Sequence, residues 1–158
     1  MFGSDWEGWS RCPTPKEERC MTFLALNHGV KGLAYFMYQV ESTRNTTGNK
    51  RLSEELWQYM AELNKETKAM SMPYLLGKDV EGFTSSNKDL DIAAKKYDGH
   101  TYVIVCNASE KDVNAEIYAT GIKLPQKVEV LFEARSVDAK EASIIDSFTG
   151  YDVHIYKL

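Results

Sequence analysis

The chain has little of what specialised sites are built from. Its 158 residues hold three cysteines, Cys12, Cys20 and Cys106, an odd number with neither C-x-x-C nor zinc-ligand spacing. That excludes a disulfide framework and a zinc ribbon. Cys106 lies inside an apolar strand-like run and reads as a small core hydrophobe. A Cys12–Cys20 bridge competes with a place for Cys20 on the inner face of a helix, and all three read as reduced thiols in a chain that is cytoplasmic as expressed. No apolar run approaches the ~20 residues of a membrane-spanning helix, and the acidic, aromatic start MFGSDWE is not a signal peptide. Charge is nearly balanced, 19 basic against 23 acidic residues for a net −4, which argues against nucleic acid and anionic membranes as partners. Lys95-Lys96 beside Tyr97 is too short for a nucleic-acid patch. There is no G-x-S-x-G elbow and no phosphate-cradling glycine loop. His28, His100 and His154 fall at a helix end, in a hairpin turn and in the last strand, and read as structural. Asn87, Asp89 and Asp91 offer oxygens without EF-hand spacing and read as a solvated turn. No metal site and no cofactor is expected. Of the sequons at Asn45 and Asn107, neither carries weight without a secretory route.

What is present organises around residues 13–40. Thr14 is a helix cap, Pro15 fits the first helical position, and Glu17 completes a capping box. Cys20, Met21, Phe23, Leu24 and Leu26 supply the apolar face, and Gly29 stops the helix. The following run, Gly32–Val40, is apolar on both faces, as a strand is when both faces are covered by parallel-sheet packing. Unless it finds barrel neighbours, it must join a sheet edge or pair with a second copy. Upstream, MFGSDWEGWSRCP holds Trp6 and Trp9, which either pack over the helix end or stack on a sugar or partner. After the polar loop ESTRNTTGNK, a second helix starts at Ser53, with Leu56, Met60, Leu63, Thr67 and Met70 on one stripe, and ends at Pro73.

Beyond Pro73 the hydrophobic period changes from 3.6 to 2. Strand-like runs cover 90–97 and 101–106, joined by Asp98-Gly99, a strong hairpin signal. Further runs fall at 113–120, at 127–133 with Val128, Val130 and Phe132 inward, at 142–148 and at 151–158. Six or so short strands at this spacing predict an antiparallel sandwich. A boundary therefore falls between residues 1–72 and 73–158.

The run RCPTPKEERCMTFLALNHGVKGLAYFMY resembles the seventh helix and eighth strand of the catalytic barrel in bacterial (β/α)8 glycoside hydrolases, and the second helix resembles the eighth, closing helix. YVIVCNAS, VEVLFEAR and DSFTGYDVHIY resemble the β-sandwich appended to such barrels. The resemblance implies an α+β fold: an antiparallel β-sandwich preceded by a helix–strand–helix remnant of a (β/α)8 barrel. It also implies an absence, because such a barrel takes about 250 residues and its catalytic carboxylates sit on strands that have no counterpart here. The function it implies is that of the C-terminal, non-catalytic part of a glycoside hydrolase. The alternatives are a stand-alone carbohydrate-binding module using Tyr97, Tyr102, Tyr118, Tyr151 or Tyr156, and an enzyme assembled between copies. Trp6, Trp9, Arg11 and Tyr38 would lie on the sugar-facing rim of the parent barrel; Asp5 and Glu7, in the same loop, are not read as catalytic. Carbohydrate is the implied ligand, and the implied macromolecular partner is the missing N-terminal barrel portion or a second copy.

Overall fold

Thr14 accepts the Glu17 N–H at 3.2 Å while Glu17 Oε2 accepts the Thr14 N–H at 2.8 Å, so the capping box forms as the sequence requires. It opens helix α1, Pro15–Asn27, which gives way to Gly29 at φ +88°. The computed structural model describes residues 13–35 and 50–158. Helix α2 runs Lys50–Leu76. It thus begins three residues before Ser53, and Pro73 does not end it. Proline there forgoes one N–H bond but leaves its own carbonyl free to accept from Gly77, at 3.0 Å, so the last turn closes.

Nine strands follow among the described residues: β1 Lys78–Asp79, β2 Phe83–Ser85, β3 Leu90–Tyr97, β4 His100–Asn107, β5 Val113–Ala119, β6 Lys127–Val130, β7 Arg135–Lys140, β8 Ser143–Phe148 and β9 Val153–Lys157. They form one antiparallel sheet ordered β1-β3-β4-β9-β6-β7-β8-β5-β2. It curls into two layers because β7 changes partner midway: Arg135–Asp138 pairs with β6, and Ala139–Lys140 with β8. The hairpin at Asp98 and Gly99 has φ +49° and +79°, the left-handed pair that a two-residue loop needs.

Between the layers lies a core of Val103, Val105, Ile117, Val128, Val130, Ile144, Phe148 and Tyr156, among others. A second core lies outside the sheet, where Cys20, Phe23, Leu63 and Met70 of the helices meet Ile104, Cys106, Val153 and Ile155. The molecule is therefore α+β in three layers, with β4 and β9 buried on both faces. Here the structure corrects the sequence reading. The described part of the Gly32–Val40 run, residues 32–35, is not a strand and does not join the sandwich edge; Leu33 and Tyr35 are 38% and 42% exposed. Double burial falls to β4 and β9 instead, in an antiparallel sheet, because the helices cover the outer face of its centre. Phe132 is also not inward. It sits in the turn after β6 at φ +68°, 46% exposed, since the strand ends at Val130.

Polar bolts hold α1 to α2 and to the sheet. Arg19 bonds Glu66 at 2.7 Å and the Val153 carbonyl at 2.5 Å. Asn27 Nδ2 donates to Asp91 at 2.8 Å, His28 Nε2 meets the other Asp91 oxygen at 2.8 Å, and the Tyr74 hydroxyl donates to Asn27 at 2.8 Å. Lys16 pairs with Asp152 at 2.9 Å. Asn107 is fully buried, its amide donating to the carbonyls of Lys111 and Thr149, so this sequon is closed to glycosylation in the folded chain. Burial also pushes the Cys20 thiol up to about 11 and the Cys106 thiol well above its ordinary range, which removes the reactive thiolate. Native alkylation with iodoacetamide should leave Cys20 and Cys106 unlabelled, and both should label fully in denaturant, as read by peptide mass mapping.

Candidate functional site

One end of the sandwich brings a dense set of ionisable groups together among the described residues. Asp146 occupies an inward position on β8, opposite Ala115, where alternation calls for an apolar residue. Its charge is met at once: Arg135 Nη1 and Nη2 reach its two oxygens at 3.2 and 2.9 Å, and the buried Tyr156 hydroxyl donates to Oδ2 at 2.9 Å. Arg135 Nε also donates to Glu133 Oε2 at 2.6 Å. The other Glu133 oxygen meets His154 Nδ1 at 2.5 Å, while His154 Nε2 faces the Ser147 carbonyl at 3.1 Å. The His154 ring leans on Phe148, centroids 4.6 Å apart.

This constellation has carboxylates and a histidine, yet its chemistry is that of a clamp. Burial opposes ionisation of Glu133 and Asp146. The hydrogen bonds from His154 and Arg135 to Glu133, and from Arg135, the Ser147 N–H and Tyr156 to Asp146, outweigh it, so both carboxyls are held below their usual range. Glycoside hydrolysis needs one carboxyl raised so that it can donate a proton at neutral pH. Two carboxyls pushed down together supply no acid. The Tyr156 hydroxyl is driven upward by burial and the neighbouring Asp146 and serves as a donor.

Among the described residues, a groove of about 270 Å³ lies between α2 and the segment after α1, lined by Leu26, Val30, Leu33, Tyr35, Tyr74 and Leu75 with several polar residues. Tyr35 is anchored by a 3.1 Å hydroxyl contact with Thr22. Val30, Leu33, Met72, Leu75 and Leu76 are between 38% and 63% exposed, an unusual share of large apolar side chains for one end of a helical layer.

The four residues expected on a sugar-facing rim, Trp6, Trp9, Arg11 and Tyr38, lie outside the described residues. So do Asp5, Glu7, Cys12 and Asn45. Of the candidate sugar-stacking tyrosines, Tyr156 is fully buried and cannot stack on a ligand, whereas Tyr118 is 39% exposed. Asn87 closes a turn onto the Asp89 N–H at 2.8 Å, and Asp91 is engaged by Asn27 and His28. Among the described residues no group of three or more His, Cys, Asp or Glu side chains is placed to hold a metal ion, and no helix is long and apolar enough to cross a membrane.

Fold and site together define a curled antiparallel sandwich with a two-helix layer on one face and an ion-paired cluster at one end. No protein-family model matches the sequence, and no curated protein matches it. Solved structures do. The α-amylase of Geobacillus thermoleovorans, complexed with acarbose, is 16% identical over 91% of this chain and 33% of its own, with a TM-score of 0.59. The noncanonic maltogenic α-amylase AmyB of Thermotoga neapolitana is 9% identical over 90% and 36%, with a TM-score of 0.57. AmyP carrying E221Q, in complex with maltotriose, is 15% identical over 71% and 22%, with a TM-score of 0.56. At these identities the likeness is one of fold alone. The chain spans about a fifth to a third of the solved chains it matches.

Proposed function

We propose that this chain is the C-terminal, non-catalytic part of a glycoside hydrolase, with residues 1–72 belonging to the end of a (β/α)8 barrel and residues 73–158 to an accessory sandwich. The observation that carries the reading is the pairing of an amylase-like fold with carboxylates that Arg135 and His154 hold ionised. The exposed apolar groove on the helical layer supports it, being the kind of face that a further (β/α) portion covers. On this reading Trp6, Trp9, Arg11 and Tyr38 face the sugar. Aromatic rings suit the apolar C–H face of a pyranose, and a guanidinium suits its hydroxyls.

A second reading, a carbohydrate-binding module, draws on Tyr118, which is 39% exposed on the uncovered face of the outer layer. One set of measurements separates the two. The purified chain should release no aglycone from aryl-glycosides and no shorter sugar from maltotriose, and it should show no saturable binding on a glycan array. Binding lost on Trp9→Ala or Tyr118→Ala would favour the module. Turnover by the chain alone would overturn the proposal.

A further inference from the structure

The groove beside α2 is shaped before anything enters it. Its two tyrosines are held by their hydroxyls to α1, Tyr35 to Thr22 at 3.1 Å and Tyr74 to Asn27 at 2.8 Å, so the rings stand as fixed walls. On the α2 side Thr67 and Ser71 turn their hydroxyls back to the Asn64 and Lys68 carbonyls, at 3.2 and 2.7 Å, which satisfies those donors within the helix. Leu33, Val30 and Leu75 remain 38%, 39% and 50% exposed along the groove.

What this lining leaves unmet is charge of one sign. Lys31 and Lys68 both border the groove, and no aspartate or glutamate does. Neither lysine has an ion-pair partner among the described residues, whereas Lys16, Lys65 and Lys95 each have one. The Glu18 charge reaches Tyr35 from α1, but Glu18 is not part of the lining. These cations argue against a second copy of the chain as the occupant. A two-fold contact sets each patch on itself and would bring lysine against lysine. The groove suits a surface with an apolar ridge and carboxylates beside it.

We propose that the groove seats an apolar ridge flanked by carboxylates, carried by the remaining (β/α) portion of the parent enzyme, and that Lys31 and Lys68 select for those carboxylates. The inference rests on the glycoside-hydrolase reading and adds to it the chemistry of the partner surface. The aliphatic walls supply affinity as they leave water. The lysines, both exposed, supply selection more than energy, because a rim charge speeds encounter with an opposite charge and penalises a like one.

The test is binding of two synthetic amphipathic helices to the purified chain, read by fluorescence anisotropy. Both peptides carry one leucine face, flanked by glutamates in the first and by lysines in the second. The glutamate peptide should bind about tenfold more tightly, and the difference should shrink in high salt. Lys31→Glu combined with Lys68→Glu should invert the preference, and Leu33→Ser should weaken both peptides alike. All three positions are exposed, so the circular dichroism of the variants should match that of the wild type. The chain alone should sediment as a monomer. Equal affinity for the two peptides, binding of neither, or a preference that survives the charge reversal would overturn the proposal and leave the non-catalytic reading standing. Self-association lost in Leu33→Ser would also overturn it, by placing a second copy in the groove. Turnover by the chain alone would remove the reading on which it rests.

Discussion

Arg135→Ala should lower the unfolding free energy by about 1–3 kcal/mol, the range for charge-assisted hydrogen bonds at a partly exposed site. Arg135 alone touches both carboxylates of the cluster, Glu133 at 2.6 Å and Asp146 at 2.9 Å. Without it Asp146 keeps only the Tyr156 hydroxyl and the Ser147 N–H, and two negative groups are left near each other at the end of the core. Urea denaturation followed by far-ultraviolet circular dichroism measures the loss. Arg135→Lys should recover part of it and not all, because an ammonium cannot present the fork that meets both carboxylates at once. The acid limb should change as well. Carboxyls held below their ordinary range contribute stability that is full above about pH 4 and is lost as pH falls through the folded-state values. The wild type should therefore weaken with acid more steeply than Arg135→Ala, in which the carboxyls lie nearer their unfolded values. Equal acid slopes in the two proteins would show that the cluster contributes no net electrostatic stabilisation.

How much of this was legible in the sequence follows from the range of each interaction. The capping box spans three residues, the Asp98-Gly99 turn two, and the alternation of Val113, Ala115, Ile117 and Ala119 one strand, and each formed as read. The failures are non-local. A both-faces-apolar run announces that two layers cover a strand without saying which strand receives them. Residues 32–35 carry that signature and are exposed, while β4 and β9 carry it and lie between the cores. Strand β7 escaped notice because Val137 and Ala139 are its only apolar residues, both half-buried, yet it is the corner at which the sheet changes layers.

The ionisable cluster was invisible for a related reason. Asp146 lies 11 residues from Arg135, and Glu133 lies 21 from His154, so no spacing rule joins them. A signal was present nevertheless: an aspartate at an inward register position of an alternating strand must have a partner with the opposite charge. VEVLFEAR and DSFTGYDVHIY contribute Glu133, Arg135, Asp146, His154 and Tyr156, every member of the cluster. The motifs that carried the family resemblance are thus the residues that close one end of the sandwich, which is why they inform about architecture more than about substrate.

Phe23→Ala should cost about 3–5 kcal/mol, the range for truncating a fully buried aromatic side chain, and where that cost appears tells whether helices and sandwich are one cooperative unit. Phe23 is 0% exposed, packed in the outer core with Leu63, Ile104 and Ile155, and the Arg19 guanidinium lies 5.5 Å from its ring centre. The strands it covers are those whose other faces, Val103, Val105 and Tyr156, belong to the inner core. A cavity over Ile104 and Ile155 therefore weakens the helical layer and the middle of the sheet together. Hydrogen exchange should show protection falling in α1 and α2 and, by a comparable factor, in β4 and β9, with a single unfolding transition. If instead the helices lost protection while the sandwich kept its own, the boundary at residues 72 and 73 would separate two folding units.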